Sequence, residues 1–474
     1  MVSQLLLFVF LIPFIFLLLV KHKRKSNASQ ARRLPPGLRR MPLIGNLHKL
    51  SNGSLLHHTL ERLAAKYGDL MFLQLGSVST LVVSSSHIAK EIFKTHDLAF
   101  SSRPALYTPK KLSYDSADLI ISPYEEYWRE VKKIVILKLL SANRIKMFQS
   151  VRDEEVGLML ESIEYFKSPV NISELTLFLT NNVLCCSAFG KKYDDGGEIG
   201  KSKIPELLEE TRALLGRFCM SDFLPWISLD NLYDRVIEEH LDPKRLKPEY
   251  EDLVDVLFRV QKDPNQTIAL TKDQIKGVLI DMFIAGTDTS AATLVWTMVE
   301  LIRNPRILRK AQDEVREVLK GKRKVEETDL SKLVYLKLVL KKSFRLHPSA
   351  PLLVPRETLE ICTIEGYEIP ANTMVFVHAK MIGNDLKCWE NPKEFLPERS
   401  MDSSVDYKGN HFELLPFGAG MRGCPGINFG VKLIELALAN LLYCFDWELP
   451  HGVRREDLDM EEAAGITIGK KKLR

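Results

Sequence analysis

Pro416-Phe417-Gly418-Ala419-Gly420-Met421-Arg422-Gly423-Cys424-Pro425-Gly426 is the stretch whose reading decides the fold. Its glycines let the backbone bend tightly and approach a planar group closely. Pro425 suits the first position of a helix, and a long helical pattern follows it. That spacing predicts Cys424 at the helix N-terminus, where free N–H groups and the helix dipole favour a thiolate. Arg422 adds positive charge and a fork able to hold a carboxylate. A thiolate on a bent, basic, glycine-rich turn has what an axial ligand to haem iron needs.

Two rival readings meet the same residues. Gly418 to Gly423 also fits G-x-G-x-x-G, the dinucleotide fingerprint. Pro425 and Gly426 interrupt the helix that should begin there, and too little chain follows for the rest of a dinucleotide fold. The plainer reading is a tight turn carrying an inert, buried cysteine.

Working outward, the chain has 474 residues with no internal repeat and no long Gly/Ser linker after residue 34, so one large, mostly helical unit is expected. A net charge of +5 is too mild to imply nucleic acid. The seven cysteines are odd in number and lack zinc spacing, which fits a reducing compartment without disulfides.

Met1 to Val20 carries no charge and is long enough for a helix to span the hydrocarbon layer. Basic residues Lys21–Lys25 follow rather than precede it, so residues 1–20 read as an uncleaved signal anchor with the body of the protein cytosolic. Residues 21–37 form a basic linker ending in the stiff Leu34-Pro35-Pro36-Gly37 hinge. Residues 38–474 form the remaining domain.

Helical periodicity covers 55–67, 88–95, 124–139, 144–166, 173–189, 205–219, 252–261, 330–347 and 433–443. Residues 71–75 and 80–84 predict a hairpin, and 355–357 and 361–369 predict strands. With no βαβ alternation, a parallel sheet is not expected. The 101–122 loop is long enough to expect a function for it.

Thr271 to Arg303 predicts the longest helix, opened by a Thr271/Gln274 capping box and closed at Asn304-Pro305. Its apolar middle predicts burial, and within it lies Ala285-Gly286-Thr287-Asp288-Thr289-Ser290. Small residues there would open space beside the helix, and Asp with Thr can relay protons. The bland alternative is a local kink from Gly and back-bonding Thr.

The loop matches F-x-x-G-x-R-x-C-x-G without a mismatch and resembles the haem-binding loop of cytochrome P450 monooxygenases; most of the chain resembles the microsomal plant members. The resemblance implies a mainly α fold with small β-sheets (α+β), its long central helix lying over haem b, iron protoporphyrin IX. It implies Cys424 as the iron's axial ligand, donating electron density that favours O–O cleavage. Phe417, Gly420, Arg422 and Gly426 join it as cofactor-binding residues, with Trp128, Lys132 and Arg356 toward the propionates. The helix segment resembles the oxygen-activation motif, which gives Thr289 the role of holding dioxygen and Asp288 that of helping deliver protons. Implied partners are O2, a small hydrophobic plant metabolite, an NADPH-cytochrome P450 reductase and the endoplasmic reticulum membrane, crossed once, with the catalytic domain cytosolic. By the same resemblance the pocket wall includes the 101–122 loop, Ala285, Ala350–Leu353 and Ala464–Thr467.

The chain departs from the family's pattern in four places. The family's E-x-x-R has Lys342 in its Glu position, with Arg345 and the downstream Arg399 kept. Three cations then face one another, unless Glu398 or Glu357 swings in or Lys342 loses its proton. Lys132 stands where W-x-x-x-R has its Arg, which keeps the charge and loses the fork. A segment is shortened near Leu232. Finally, Ser400 replaces an aromatic and the chain stops at Arg474. Three readings follow: a membrane-anchored haem-thiolate monooxygenase, an isomerase or dehydratase of the same fold, and a catalytically impaired or haem-free pseudoenzyme paralogue. The Asp288-Thr289 pair speaks against the second; Lys342 and the shortened segment motivate the third.

Overall fold

The computed structural model describes residues 33–50, 54–106, 109–110, 113–165, 169–190, 240–241, 251–401, 403–463, 465 and 467–470. The expected anchor at 1–20, most of the linker, the helix at 205–219, the shortened segment near Leu232 and the chain end at Arg474 lie outside them.

Two short N-terminal helices, α1 (Leu47–Leu50) and α2 (Leu56–Tyr67), precede a hairpin of β1 (Leu70–Leu75) and β2 (Val78–Val83). Next come α3 (Ser86–Lys90), α4 (Glu126–Ile134), α5 (Ala142–Met147), α6 (Gln149–Tyr165) and α7 (Ile172–Phe189). Helices α3 and α4 each run on into a π-helical turn, at Glu91–Thr95 and Val135–Leu139. After α8 (Leu253–Lys262) comes the long helix α9 (Lys272–Arg303). Its Thr271 side chain accepts from the Gln274 N–H and the Gln274 side chain accepts in return, as the sequence predicts.

Helix α10 (Pro305–Val318) begins one residue after Asn304. The Asn304-Pro305 pair was expected only to end α9; Pro305 also starts α10, because its fixed φ and missing N–H suit a first turn. Helix α11 (Val334–Leu346), strands β3 (Arg356–Glu357), β4 (Cys362–Ile364), β5 (Tyr367–Ile369) and β6 (Met374–Val377), and helices α12 (Ala379–Gly383) and α13 (Ile427–Cys444) complete the described α-helices and strands.

The larger sheet runs β1-β2-β6-β3, and β4 pairs with β5 alone. β2 and β6 are parallel, Thr80 opposite Met374, which corrects the expectation of no parallel pairing. Nearly three hundred residues separate the two strands, so no local alternation announces them. Helix α9 is buried along most of its length against α7 and α13, at the centre of the main apolar core. By length and composition α7, α9 and α13 could each cross a membrane, but more than half of each apolar window is buried inside the protein. They are core helices.

Candidate haem-thiolate site

The cysteine loop is closed by its own backbone: the Cys424 N–H donates to Phe417 O at 3.0 Å. Gly418 and Gly420 adopt positive φ, +67° and +66°. At Gly420 the requirement is doubled, because a Cβ there would lie 2.4 Å from both carboxylate oxygens of Asp97. Phe417 meets Phe344 edge-on at 5.1 Å and Tyr407 at 5.7 Å, fastening the loop to α11. The following helix starts at Ile427 with Gly426 as its cap, so Pro425 precedes the helix instead of opening it.

Cys424 is exposed, yet desolvation pushes its thiol up, against the lowering effect of the Gly426 N–H. Both hold for a sulfur crowded by protein atoms that still keeps accessible surface. The expected preference for thiolate is therefore reversed in the protein alone. One N–H does not outweigh a low-dielectric wall; a cation at the sulfur would.

Beside the loop, four cations converge. Arg422 donates to the carbonyls of Ser101 (2.7 Å), Leu119 (3.2 Å) and Ser122 (2.7 Å), pinning the 101–122 loop. Lys132 donates to Met421 O. Arg422 and Lys132 lie against the Trp128 ring, 4.0 and 5.1 Å from its centroid, and the Trp128 N–H donates to Leu119 O at 3.0 Å. Arg356 donates to Asp97 and to Ala419 O (2.6 Å). Arg103, which the sequence reading missed, donates to the carbonyls of Ile120, Val354 and Pro355. Burial first, and then mutual repulsion, lower Arg103, Lys132 and Arg422, the last to about 9. Burial also lowers Arg356, with Asp97 opposing it.

Asp118 and Asp281 form a second unforeseen pair. Asp281 accepts from the N–H groups of Leu119 (2.6 Å) and Ile120 (3.0 Å), and Asp118 from those of Ile121 and Ser122 (both 3.0 Å). Burial raises both carboxyls, and Asp118 raises Asp281 further. Nothing in the spacing of Asp118 and Asp281 signals that a loop and a helix meet there.

On α9, Thr289 Oγ1 donates to Ala285 O at 2.6 Å, and Thr289 O accepts from Thr293 Oγ1 and Ser349 Oγ. The Thr289 hydroxyl keeps its lone pairs for a further donor. Asp288 is buried. Gly286 does not open space as expected: a Cβ would lie 2.7 Å from Leu184 Cδ1, so it serves close packing of α7 on α9. The helix continues unbroken through this segment.

Lys342 is 2% exposed, and no carboxylate of the described residues lies within ion-pair distance of it. Burial, then Arg345 and Arg399, lower it to about 7. Glu398 does not swing in. It is held by Arg306 (2.8 Å), Lys310 (3.1 Å) and Tyr335 (2.9 Å). Burial would raise Glu398, but these bonds and its own N–H bring it down to about 2. Glu357 stays on β3, its N–H donating to Ser102 O. Arg345 instead donates to the carbonyls of Gly383 and Pro392, and Arg399 to those of Glu390 and Asn391. Of the three outcomes foreseen for Lys342, loss of its proton fits this arrangement.

A helical body with an accessible cysteine on a glycine-rich loop beside clustered cations is the arrangement of a haem-thiolate protein. The chain belongs to the cytochrome P450 family, whose model matches residues 35–474. It is 56% identical over 485 residues to cytochrome P450 71A9 of Glycine max, covering 98% of this chain and 96% of that one. It is 55% identical to strychnine-11-hydroxylase of Strychnos nux-vomica over 99% of this chain and 96% of the relative. In fold it is similar to a zebrafish cytochrome P450 solved with abiraterone, with a TM-score of 0.76, 23% identity, and coverage of 88% of this chain and 97% of that one.

The family binds haem b, and the residues present fit it. Arg103, Arg356, Arg422 and Lys132 outnumber the acids beside them, Asp97, Asp118 and Asp281. A group bearing two propionates would find donors there. The accessible Cys424 sulfur is the soft ligand its iron takes.

Proposed function

We propose that this chain is a membrane-anchored haem-thiolate monooxygenase that inserts one oxygen atom of O2 into a small hydrophobic plant metabolite, with electrons from an NADPH-dependent reductase. The observation that carries this reading is the accessible Cys424 on a glycine-rich loop beside which Arg422, Arg356, Lys132 and Arg103 converge. Haem would supply the oxygen-activating redox chemistry when bound. Cys424 would hold its iron; Arg422, Arg356 and Lys132 its propionates, with Arg103 in support; and Phe417, Gly420 and Gly426 would shape the loop beneath it. Trp128 would hold Arg422 and Lys132 in place. Thr289 would orient the oxygen through its free lone pairs, and Asp288 would move protons toward it from α9. Exclusion of water falls to the apolar body of α9 and the 101–122 loop that Asp281 fastens to it. The relatives' names support a plant small-molecule substrate without choosing one.

Residues 1–20 would anchor the chain in the endoplasmic reticulum membrane as a single span, residues 21–37 would be the linker and hinge, and residues 38–474 the cytosolic haem-binding domain. Reconstitution of the full chain with an NADPH-dependent flavoprotein reductase and a panel of hydrophobic plant metabolites, under 18O2, tests the reading. One labelled oxygen in a product, dependent on NADPH, is the expected result. Full haem loading with NADPH oxidation but no labelled product across such a panel would count against it.

A second reading, a catalytically impaired paralogue, is favoured by the buried Lys342 beside Arg345 and Arg399. Failure of the full chain to take up haem under conditions where Lys342→Glu takes it up would select that reading.

A further inference from the structure

The helix α11 face that carries Lys342 and Arg345, with Arg399 beyond it, is a cluster of three cations whose surroundings are almost entirely carbonyls. Lys342 and Arg345 are three residues apart, hence on one helix face. The nearest acids are already engaged: Glu394 is exposed and paired with Arg399 at 3.3 Å, and Glu300 is paired with His347 at 2.7 Å. Two buried N–H donors in the same cluster have no acceptor among the described residues, Arg345 Nε and Trp389 Nε1. The Arg345 guanidinium lies 5.0 Å from the centroid of the Trp389 ring. Orphan donors around like charges are the mark of a missing oxyanion.

We propose that Lys342 is a site of reversible carboxylation by CO2, its carbamate supplying the carboxylate that Arg345 and the Trp389 N–H lack. In the step, the neutral Nζ attacks the carbon of CO2. An N–C bond forms, one C–O π bond becomes a carboxylate, and one proton leaves the nitrogen for solvent. No oxidant or reductant takes part. The amine must be neutral to attack, and burial next to two guanidinium groups holds Lys342 in that form near neutral pH. CO2 is small and apolar and can reach a buried amine that bicarbonate cannot. The product exchanges a destabilising lysine for an anion hydrogen-bonded among cations, so it is stabilised by the cluster that disfavours the ammonium. The inference stands independently of the monooxygenase reading.

The full chain, labelled with 15N-lysine and freed of CO2, would be given 13C-bicarbonate and followed by 13C NMR. The expected result is a carbamate carbon split by a single 15N, absent from Lys342→Gln. The same addition would raise the melting temperature by about 2 °C, while equal formate or chloride would not. Trapping carbamates by O-alkylation, then mapping them by mass spectrometry, needs no variant and should place the modification on Lys342. A 13C signal without nitrogen splitting, equal stabilisation by formate, or trapped carbamate only on other lysines would overturn the proposal.

Discussion

Asp97 joins the cysteine loop to the cation cluster: its Oδ1 accepts from Arg356 at 2.9 Å and its Oδ2 from the Met421 N–H at 2.6 Å. One side chain from the turn after α3 thus fixes the backbone one residue past Gly420 and three before Cys424. It also leaves no room at Gly420, whose positive φ already disfavours a side chain. Gly420→Ala should therefore lower stability by roughly 1–3 kcal/mol and loosen the loop. Asp97→Asn, which keeps the shape and loses the charge, should cost less. Denaturant titration of the two variants in parallel checks the order.

How far such contacts were legible beforehand differs by kind. The glycine-rich loop, the capping box at Thr271 and the hairpin at 70–83 depend on neighbours in the chain, and pattern alone predicted them. Asp97, Arg103 and the Asp118–Asp281 pair act across long separations, and no local period encodes that they meet. The thiol at Cys424 was misjudged because the helix N-terminus was visible in the sequence and the surrounding low-dielectric wall was not. Lys342 and its two facing arginines were recognised only by resemblance; that Glu398 is held by Arg306, Lys310 and Tyr335 instead came from the fold.

Lys342 makes stability depend on pH in a stated direction. Its folded pKa, about 7, lies below the ordinary lysine value of 10.5, so between these values the unfolded chain binds a proton that the folded chain does not. In CO2-free buffer the penalty is full below about pH 7 and is relieved as pH rises toward 10.5, by at most about 1.4 kcal/mol per unit. Lys342→Met should remove this slope and stabilise the protein near neutrality by about 2–4 kcal/mol. Melting curves of both proteins from pH 6 to 9 would show it as convergence at high pH.

Arg422 holds three carbonyls of the 101–122 loop with a fork that lysine lacks. Arg422→Lys keeps the charge, yet should free the loop and cost about 2–3 kcal/mol. Limited proteolysis should then cut within 101–122 faster than in the unmodified chain.

Thr289 donates only to a carbonyl one turn back, so its removal should leave the helix intact. With haem and reductase present, Thr289→Ala should lower product formed per NADPH consumed by roughly 10–100-fold, with haem content unchanged. Parallel assays of product and NADPH give that ratio.

The reduced carbon-monoxide difference spectrum of the unmodified chain, recorded beside Lys342→Glu, tests the central claim that Cys424 is a thiolate ligand to haem iron. The unmodified chain should give the red-shifted thiolate Soret band, with a band of equal or greater intensity from the Glu variant. Absence of the band from both proteins would contradict it.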